Sequence, residues 1–371
     1  MKILVCPDSF KGSLSSYEAA NAVKEGILKN SPDSEITLLP LADGGEGTAE
    51  CLKRIVGGEY RKVKTKNIFF EELDGDFLLL KDGSAFVETA TASGIMTVEK
   101  PRLNPLKAST YGTGLIIKKS VENGADRIIV GLGGSATNDG GMGALNALGV
   151  DFLDENQKVL EPSGENMIRA KSVSIRDEFS KYKNIKFTLA CDVENPFYGK
   201  NGAAYVFASQ KGAGEKEIEF LDRGLKNLSE IYNSFSKKDI QSVSGSGAAG
   251  GLCGGLYSFF DCEIKSGFDV LSEKAGLEEL IKSADLVITG EGRTDYQTSF
   301  GKLPFKISAL CKKYGKRCVL LSGDISPDAD IKGMGFESAY KIMNKSITLE
   351  NAIKNAYNLL VETAKNIEVE R

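Results

Sequence analysis

Apolar residues fall in short blocks along this chain, and the blocks alternate between two spacings. "KILVC" (2–6) is a continuous apolar run bounded by Pro7, the pattern of a strand buried on both faces. After it, Ala19, Ala20, Val23 and Ile27 recur at helical spacing, with Ser15 and Glu18 placed as a capping box and Leu14 as its staple residue. "EITLLPLA" (35–42) predicts the next strand, followed by a helix from about Gly45 to Ile55 with Asp43 at its cap. The C-terminal end repeats the order. Strand "DLVITG" (285–290) precedes a helix opened by Pro304 and closed by Lys312, Lys313 and Gly315; strand "RCVLLSG" (317–323) follows. A final helix from Thr348 carries Leu349, Ala352, Ile353, Ala356, Leu359 and Leu360 on one face. Strands alternating with helices mark a parallel sheet.

The middle of the chain reads differently. "DFLLL", "AFVETA", "KFTLA" and "AAYVFAS" are short strand-like pieces separated by turns. The expected fold class is α/β: a doubly wound parallel-sheet domain of residues 1–65, 125–150 and 280–371, interrupted by a second α+β domain of residues 66–124 and 151–279.

Between the strand-like run Ile128 to Leu132 and the helical "MGALNALGV" lies "GLGGSATNDGGMG" (131–143), in which six of thirteen residues are glycine. A strand-to-helix loop this bare can offer backbone N–H groups and a helix N-terminus to an anion. It could also be a tight turn needing positive φ. Gly131-x-Gly133-x-x-Ala136, with Asp151 about twenty residues on, matches a dinucleotide fingerprint. Against it, Asp139 would repel a pyrophosphate unless a cation such as Mg²⁺ stood between them. The loop therefore favours a Mg-nucleotide over NAD.

Composition narrows the chemistry. Among 371 residues with 41% hydrophobic and 26% charged content there is no histidine, which excludes Ser-His-Asp and Cys-His catalysis, H-E-x-x-H zinc sites and phosphohistidine relays. Acid–base work falls to Asp, Glu, Lys, Tyr or Cys. A net charge of −4 with basic and acidic residues interleaved gives no footprint for nucleic acid. No apolar run approaches the ~18 residues of a membrane span, and Asp8 interrupts the N-terminal run too early for a signal peptide. Seven cysteines without a C-x-x-C pair fit scattered reduced thiols, and a cytoplasmic location is expected.

Polar residues cluster with glycine at the ends of apolar runs in "PDSFKGS" (7–13), "ADGGEGT" (42–48), "CDVENPFYGKNGA" (191–203) and "TGEGRTD" (289–295). In open α/β sheets such loops converge on one crevice. Each also has a plainer reading. Asp43 and Glu46 could cap a helix, and Glu291, Arg293 and Asp295 could form a surface ion-pair cluster. "SGSGAAGGLCGG" (244–255) could be a close-packing segment or a second anion loop. Asp192, directly after a buried strand, is expected to be partly desolvated.

These stretches, with "NPLKASTYGTG" (104–114), "VGLGGSATNDGG" (130–141), "ACDVENP" (190–196), "QKGA" (210–213), "SGAAGGL" (246–252) and "DLVITGEGRTD" (285–295), resemble the bacterial glycerate kinases, the group with glycerate 2-kinase members. The resemblance runs from Met1 to the final helix. It departs at Ser209 and Ser244, where the family usually has proline, and at "NIFFEELDGDF" (67–77), which lacks the usual Val-Thr-Gly-Pro-Leu-Gly pattern. It implies ATP-dependent phosphorylation of D-glycerate on a Rossmann-like domain interrupted by a second α/β domain, with the active site in the cleft between. On that reading Gly133, Gly134, Ser135, Thr137 and Asn138 bind the nucleotide, and Asp139 or Asp43 holds Mg²⁺. Asp192 accepts the hydroxyl proton, and Lys11 and Arg293 neutralise the phosphoryl group and the substrate carboxylate. Asp8, Ser9 and Asp43 complete the substrate site, with the roles of Asp8, Asp43 and Asp192 interchangeable. The 2-hydroxyl is the expected acceptor and the 3-hydroxyl the alternative. An NAD-dependent hydroxy-acid dehydrogenase and a non-enzymatic receptor for a small acid are the rival readings. Monomer and homodimer both stay open.

Overall fold

Strand β1 (Lys2–Val5) forms where the apolar run places it. The Ser15 hydroxyl accepts from the Glu18 amide and the Glu18 carboxylate accepts from the Ser15 amide, so the capping box opens the helix Ser16–Asn30. The structure, a computed structural model, describes residues 1–42, 47–343 and 347–369. β2 (Glu35–Leu38) stops short of Pro40, which has no amide to continue a ladder, and the helix Thr48–Val56 follows. Asp43, expected at the cap of that helix, lies outside the described residues.

Eight strands come next: β3 (Gly58–Lys66), β4 (Glu72–Leu80), β5 (Ser84–Glu88), β6 (Arg127–Gly131), β7 (Val150–Leu153), β8 (Ser172–Ile175), β9 (Lys186–Ala190) and β10 (Asp261–Lys265). The chain closes with β11 (Leu286–Thr294), β12 (Arg317–Ile325) and β13 (Ser338–Lys341). It divides into two compact units, Met1–Ile55 with Phe268–Arg371, and Val56–Gly267.

The first unit is built on a five-stranded sheet of order β13-β12-β11-β1-β2, every pair parallel. Ile3, Val5, Leu286, Ile288, Val319 and Leu321 share one core with the helices Ser16–Asn30 and Ala356–Ala364, while the alternate residues Leu4, Val287 and Leu320 are buried as well. Both sheet faces are covered, which is why these strands read as unbroken apolar runs. The expected last helix is two, Leu349–Lys354 and Ala356–Ala364, with Thr348 capping the first.

The second unit carries a six-stranded sheet of order β10-β9-β6-β5-β4-β3, parallel from β5 through β6 and β9 to β10 and antiparallel at β3 and β4. Its core runs from Phe77 to Phe260 and includes Tyr232 and Phe197. Two expectations are corrected here. Residues 125–150 do not return to the first sheet, because β6 is hydrogen-bonded to β5 and β9. "AAYVFAS" is a helix, Ala203–Phe207, and not a strand; so short an apolar run suits either, and Gly202 starts a turn there.

Candidate functional site

In the first unit the chain runs from β1 outward to β2 in one direction and from β11 to β12 and β13 in the other. The order reverses between β1 and β11, and a ligand crevice is expected outside the carboxyl ends of those two strands. The structure has a pocket of about 620 Å³ there. Asp8, Ser9 and Lys11 enter it from the loop after β1, Glu291, Arg293 and Asp295 from the end of β11 and just beyond, and Lys302 from the start of the next helix. The Asp8 amide donates to the Gly290 carbonyl at 2.8 Å, which fixes the first loop along β11. The pocket thus gathers four of the five residues expected to bind substrate; the fifth, Asp43, lies outside the described residues.

Glu291 is no surface ion-pair residue. It is 6% exposed, and its Oε1 accepts from the hydroxyls of Thr294 at 3.0 Å and Thr298 at 2.8 Å, with Lys302 Nζ 3.7 Å from Oε2. Burial pushes its carboxyl up from the ordinary value, opposed by those hydroxyls and by Lys302. Asp295 caps the short turn Tyr296–Phe300 and also approaches Lys302, at 3.4 Å.

The glycine loop of the second unit is organised around Asp139. This carboxylate is fully buried and accepts four hydrogen bonds: from the Thr110 amide (2.7 Å) and hydroxyl (2.8 Å), and from the amides of Gly143 (3.1 Å) and Gly141 (3.0 Å). Those four donors take up its lone pairs, so it does not fit as the Mg²⁺ ligand expected of it. They also include the amides that open the helix Met142–Ala147, which removes the donors a pyrophosphate would use. Gly140 and Gly141 take positive φ, and Gly250 abuts the Thr137 carbonyl with no room for a Cβ. Most of the glycine here serves close backbone packing, and so does "SGSGAAGGLCGG", whose Gly250 carbonyl accepts from the Gly140 amide at 3.0 Å.

Within this loop Ser135, Thr137 and Asn138 are buried, and the Ser135 and Thr137 hydroxyls pair with each other at 2.9 Å. Only Gly133 and Gly134 of the expected nucleotide-binding residues are exposed. Neither polar atom of the buried Asn138 side chain has a hydrogen-bond partner among the described residues. Asp192 also differs from expectation: it is exposed, not desolvated, and its Oδ1 accepts from the Gly267 amide at 3.1 Å, at the start of the helix Gly267–Ala275. β6 and β9 are adjacent and parallel, with Gly131 opposite Ala190, so Gly133, Gly134 and Asp192 leave the same end of neighbouring strands.

One residue escaped the sequence reading. Lys211 is 2% exposed, its Nζ donates to the Thr137 carbonyl at 2.7 Å, and burial pushes its ammonium down to about 7, with Asp139 acting the other way. A lone lysine in "QKGA" carries no sign of burial. The shift has a testable consequence. Between about 7 and the ordinary 10.5 the unfolded chain holds a proton that the folded chain lacks, so this group erodes stability as pH falls through that window and no further below it. The stability of Lys211→Met relative to wild type should therefore rise by on the order of 3 kcal/mol between about pH 9.5 and about pH 7, read from urea midpoints. A pH-independent difference would place the charged amine in both states.

A five-stranded parallel sheet whose switch point gathers lysine, arginine and carboxylates places the chain in the class of α/β proteins with a charged crevice at the strand ends. The chain belongs to the glycerate kinase family, whose family model matches residues 3–370. It is 36% identical to a glycerate kinase of Halalkalibacterium halodurans and to the glycerate 2-kinase of Escherichia coli, in each case across 99% of this chain and 97% of the relative. A crystal structure assigned to glycerate kinase 2 of Salmonella typhimurium superposes with a TM-score of 0.88 at 36% identity, covering 99% of this chain and 96% of that one. As a member of this family the chain is a kinase, a phosphotransferase with an alcohol acceptor, and uses ATP. No helix of the described residues is long and apolar enough to cross a membrane.

Proposed function

We propose that the protein transfers the γ-phosphoryl group of ATP to the 2-hydroxyl of D-glycerate. The observation that carries this reading is the pocket at the β1/β11 switch point, where Lys11 and Arg293 stand beside Asp8 and Ser9. Phosphoryl transfer asks a protein chiefly for positioning and charge neutralisation, and two cations at one sheet end supply both. The 2-hydroxyl oxygen bonds to the γ-phosphorus as its proton passes to a carboxylate base, a role for which the sequence suggests Asp192; the bond between the γ-phosphorus and the β,γ-bridging oxygen breaks, and ADP leaves with that oxygen.

Mg²⁺ would come with the triphosphate, as it does where one or two carboxylates suffice. Asp8, 8% exposed in the loop after β1, is one of four carboxylates that line this pocket and would be the one to meet it on this reading. The ion would supply charge neutralisation on the phosphates.

The choice of hydroxyl follows from where the substrate is held. Glycerate has a primary hydroxyl at C3 and a secondary one at C2, and the primary is intrinsically the more reactive. A clamp on the carboxylate fixes the C2 hydroxyl, while C3 keeps a further rotatable bond. In-line orientation is worth about 7 kcal/mol or more in favourable cases, enough to reverse the intrinsic order. The product should feed enolase directly in a coupled assay, without phosphoglycerate mutase, and phosphorus NMR should show 2-phosphoglycerate. A strict need for the mutase would overturn the carboxylate clamp.

A further inference from the structure

The pocket at the β1/β11 switch point is lined by two unlike sets of residues. Its charged lining comes from Lys11, Arg293 and Lys302 together with Asp8, Glu291, Asp295 and Asp324; its apolar lining includes Ile342 after β13 and Leu349, Ala352 and Ile353 of the helix Leu349–Lys354. Leu349 is 63% exposed and Ile353 42%, large side chains left in water on the face of a helix that sequence patterning alone would turn inward. Ala352 beside them is buried, so the helix is seated and the exposure belongs to the pocket wall.

Glycerate cannot use that wall, since each of its three carbons bears oxygen. The other substrate of a kinase can. A nucleoside triphosphate carries a flat, largely apolar base that could use such a surface, and the cavity of about 620 Å³ lies in the range of small-molecule sites, with Lys11, Arg293 and Lys302 standing among the carboxylates of Asp8, Glu291, Asp295 and Asp324. The position agrees, because doubly wound sheets bind such ligands at the switch point. The glycine loop of the second unit argues the same way from the negative side, its helix amides being taken by Asp139.

We infer that the apolar surface formed by Ile342, Leu349, Ala352 and Ile353 is the adenine subsite, with the triphosphate directed toward the strand ends. The inference rests on the kinase reading for its choice of ligand. It moves the nucleotide from the loop 133–138, where the sequence suggested it, to the first unit.

The test compares wild type with Leu349→Glu and Ile353→Glu, both exposed positions where folding should survive, as a thermal melt would verify. Mg-ADP and inorganic tripolyphosphate, which has no base, are titrated calorimetrically into the full chain, and steady-state kinetics are measured for ATP and glycerate. The expected result is a tenfold or greater weakening of ADP binding and rise in the KM for ATP, with tripolyphosphate affinity and the KM for glycerate changed less than twofold. Unchanged ADP affinity would overturn the inference, and so would an equal loss for tripolyphosphate, which would mean that the new charge acts on phosphate and not on the base. If wild type turns over ATP with glycerate while the variants keep ADP affinity, the subsite falls and the kinase reading stands. If wild type transfers phosphate to no hydroxy acid, the kinase reading falls, and ADP titration still decides whether this wall takes a nucleotide.

Discussion

Asp192→Asn is expected to lower kcat on the order of 10²-fold or more, the usual contribution of a positioned base. The substitution separates chemistry from architecture. Asp192 accepts the Gly267 amide at the head of the helix Gly267–Ala275, and an asparagine oxygen accepts that hydrogen bond as well. Stability should therefore change little. If the residue were only a cap, kcat would stay within about twofold, and the base would have to be sought at Asp8. A loss of activity with an unchanged melting temperature assigns the carboxylate to proton transfer.

The second large effect is expected at Arg293. Arg293→Ala should reduce kcat/KM by on the order of 10² to 10³, the range seen when a donor to developing charge is removed. Arg293→Lys divides the possibilities further, because it keeps the charge and loses the two-point fork. If the base of ATP lies against Ile353, the guanidinium beside that wall serves phosphate, and the rise in KM falls on ATP. A rise confined to glycerate would return Arg293 to the carboxylate, the role that the sequence suggested for it.

Where the local pattern by itself fixes the type of element, the sequence was a sufficient guide. "KILVC" became β1, Ser15 and Glu18 capped their helix, and Pro304 opened the helix Leu303–Lys313. Where the partner is remote, it was not. "GEYRKVKTK" forms β3, an edge strand with most of its residues exposed, so no apolar alternation marks it. β6 was legible as a strand but not as a neighbour of β9, since an apolar run says that it is buried and not beside what. The glycine loop shows the limit most clearly. Bare backbone suits an anion and a tightly packed chain equally, and the deciding contact is between Asp139 and Thr110, 29 residues away. For the same reason Lys211 stayed hidden: its partner, the Thr137 carbonyl, lies 74 residues back along the chain. That Asp8, Ser9, Lys11 and Arg293 line one pocket was legible because the ends of parallel strands converge wherever the sheet is wound about a switch point.

The interruption of the first sheet bears on how the chain is made. β1 is synthesised long before its neighbour β11, which begins near residue 285, and the Lys2 amide meets the Asp285 carboxylate across 283 positions. At about 5–20 residues per second, that separation is a wait of roughly 15 to 60 s. Residues 56–267 can complete their own sheet in the meantime, since none of its strands lies outside that span. Residues 1–55 cannot: β1, whose Ile3, Leu4 and Val5 are all buried in the finished sheet, stands beside β2 without β11, an open edge ready to join a neighbouring chain. Within this sheet the strands made earlier are thus among the last to be buried. Nascent-chain aggregation should concentrate there, and any change that delays the emergence of residues 268–325 prolongs the exposure.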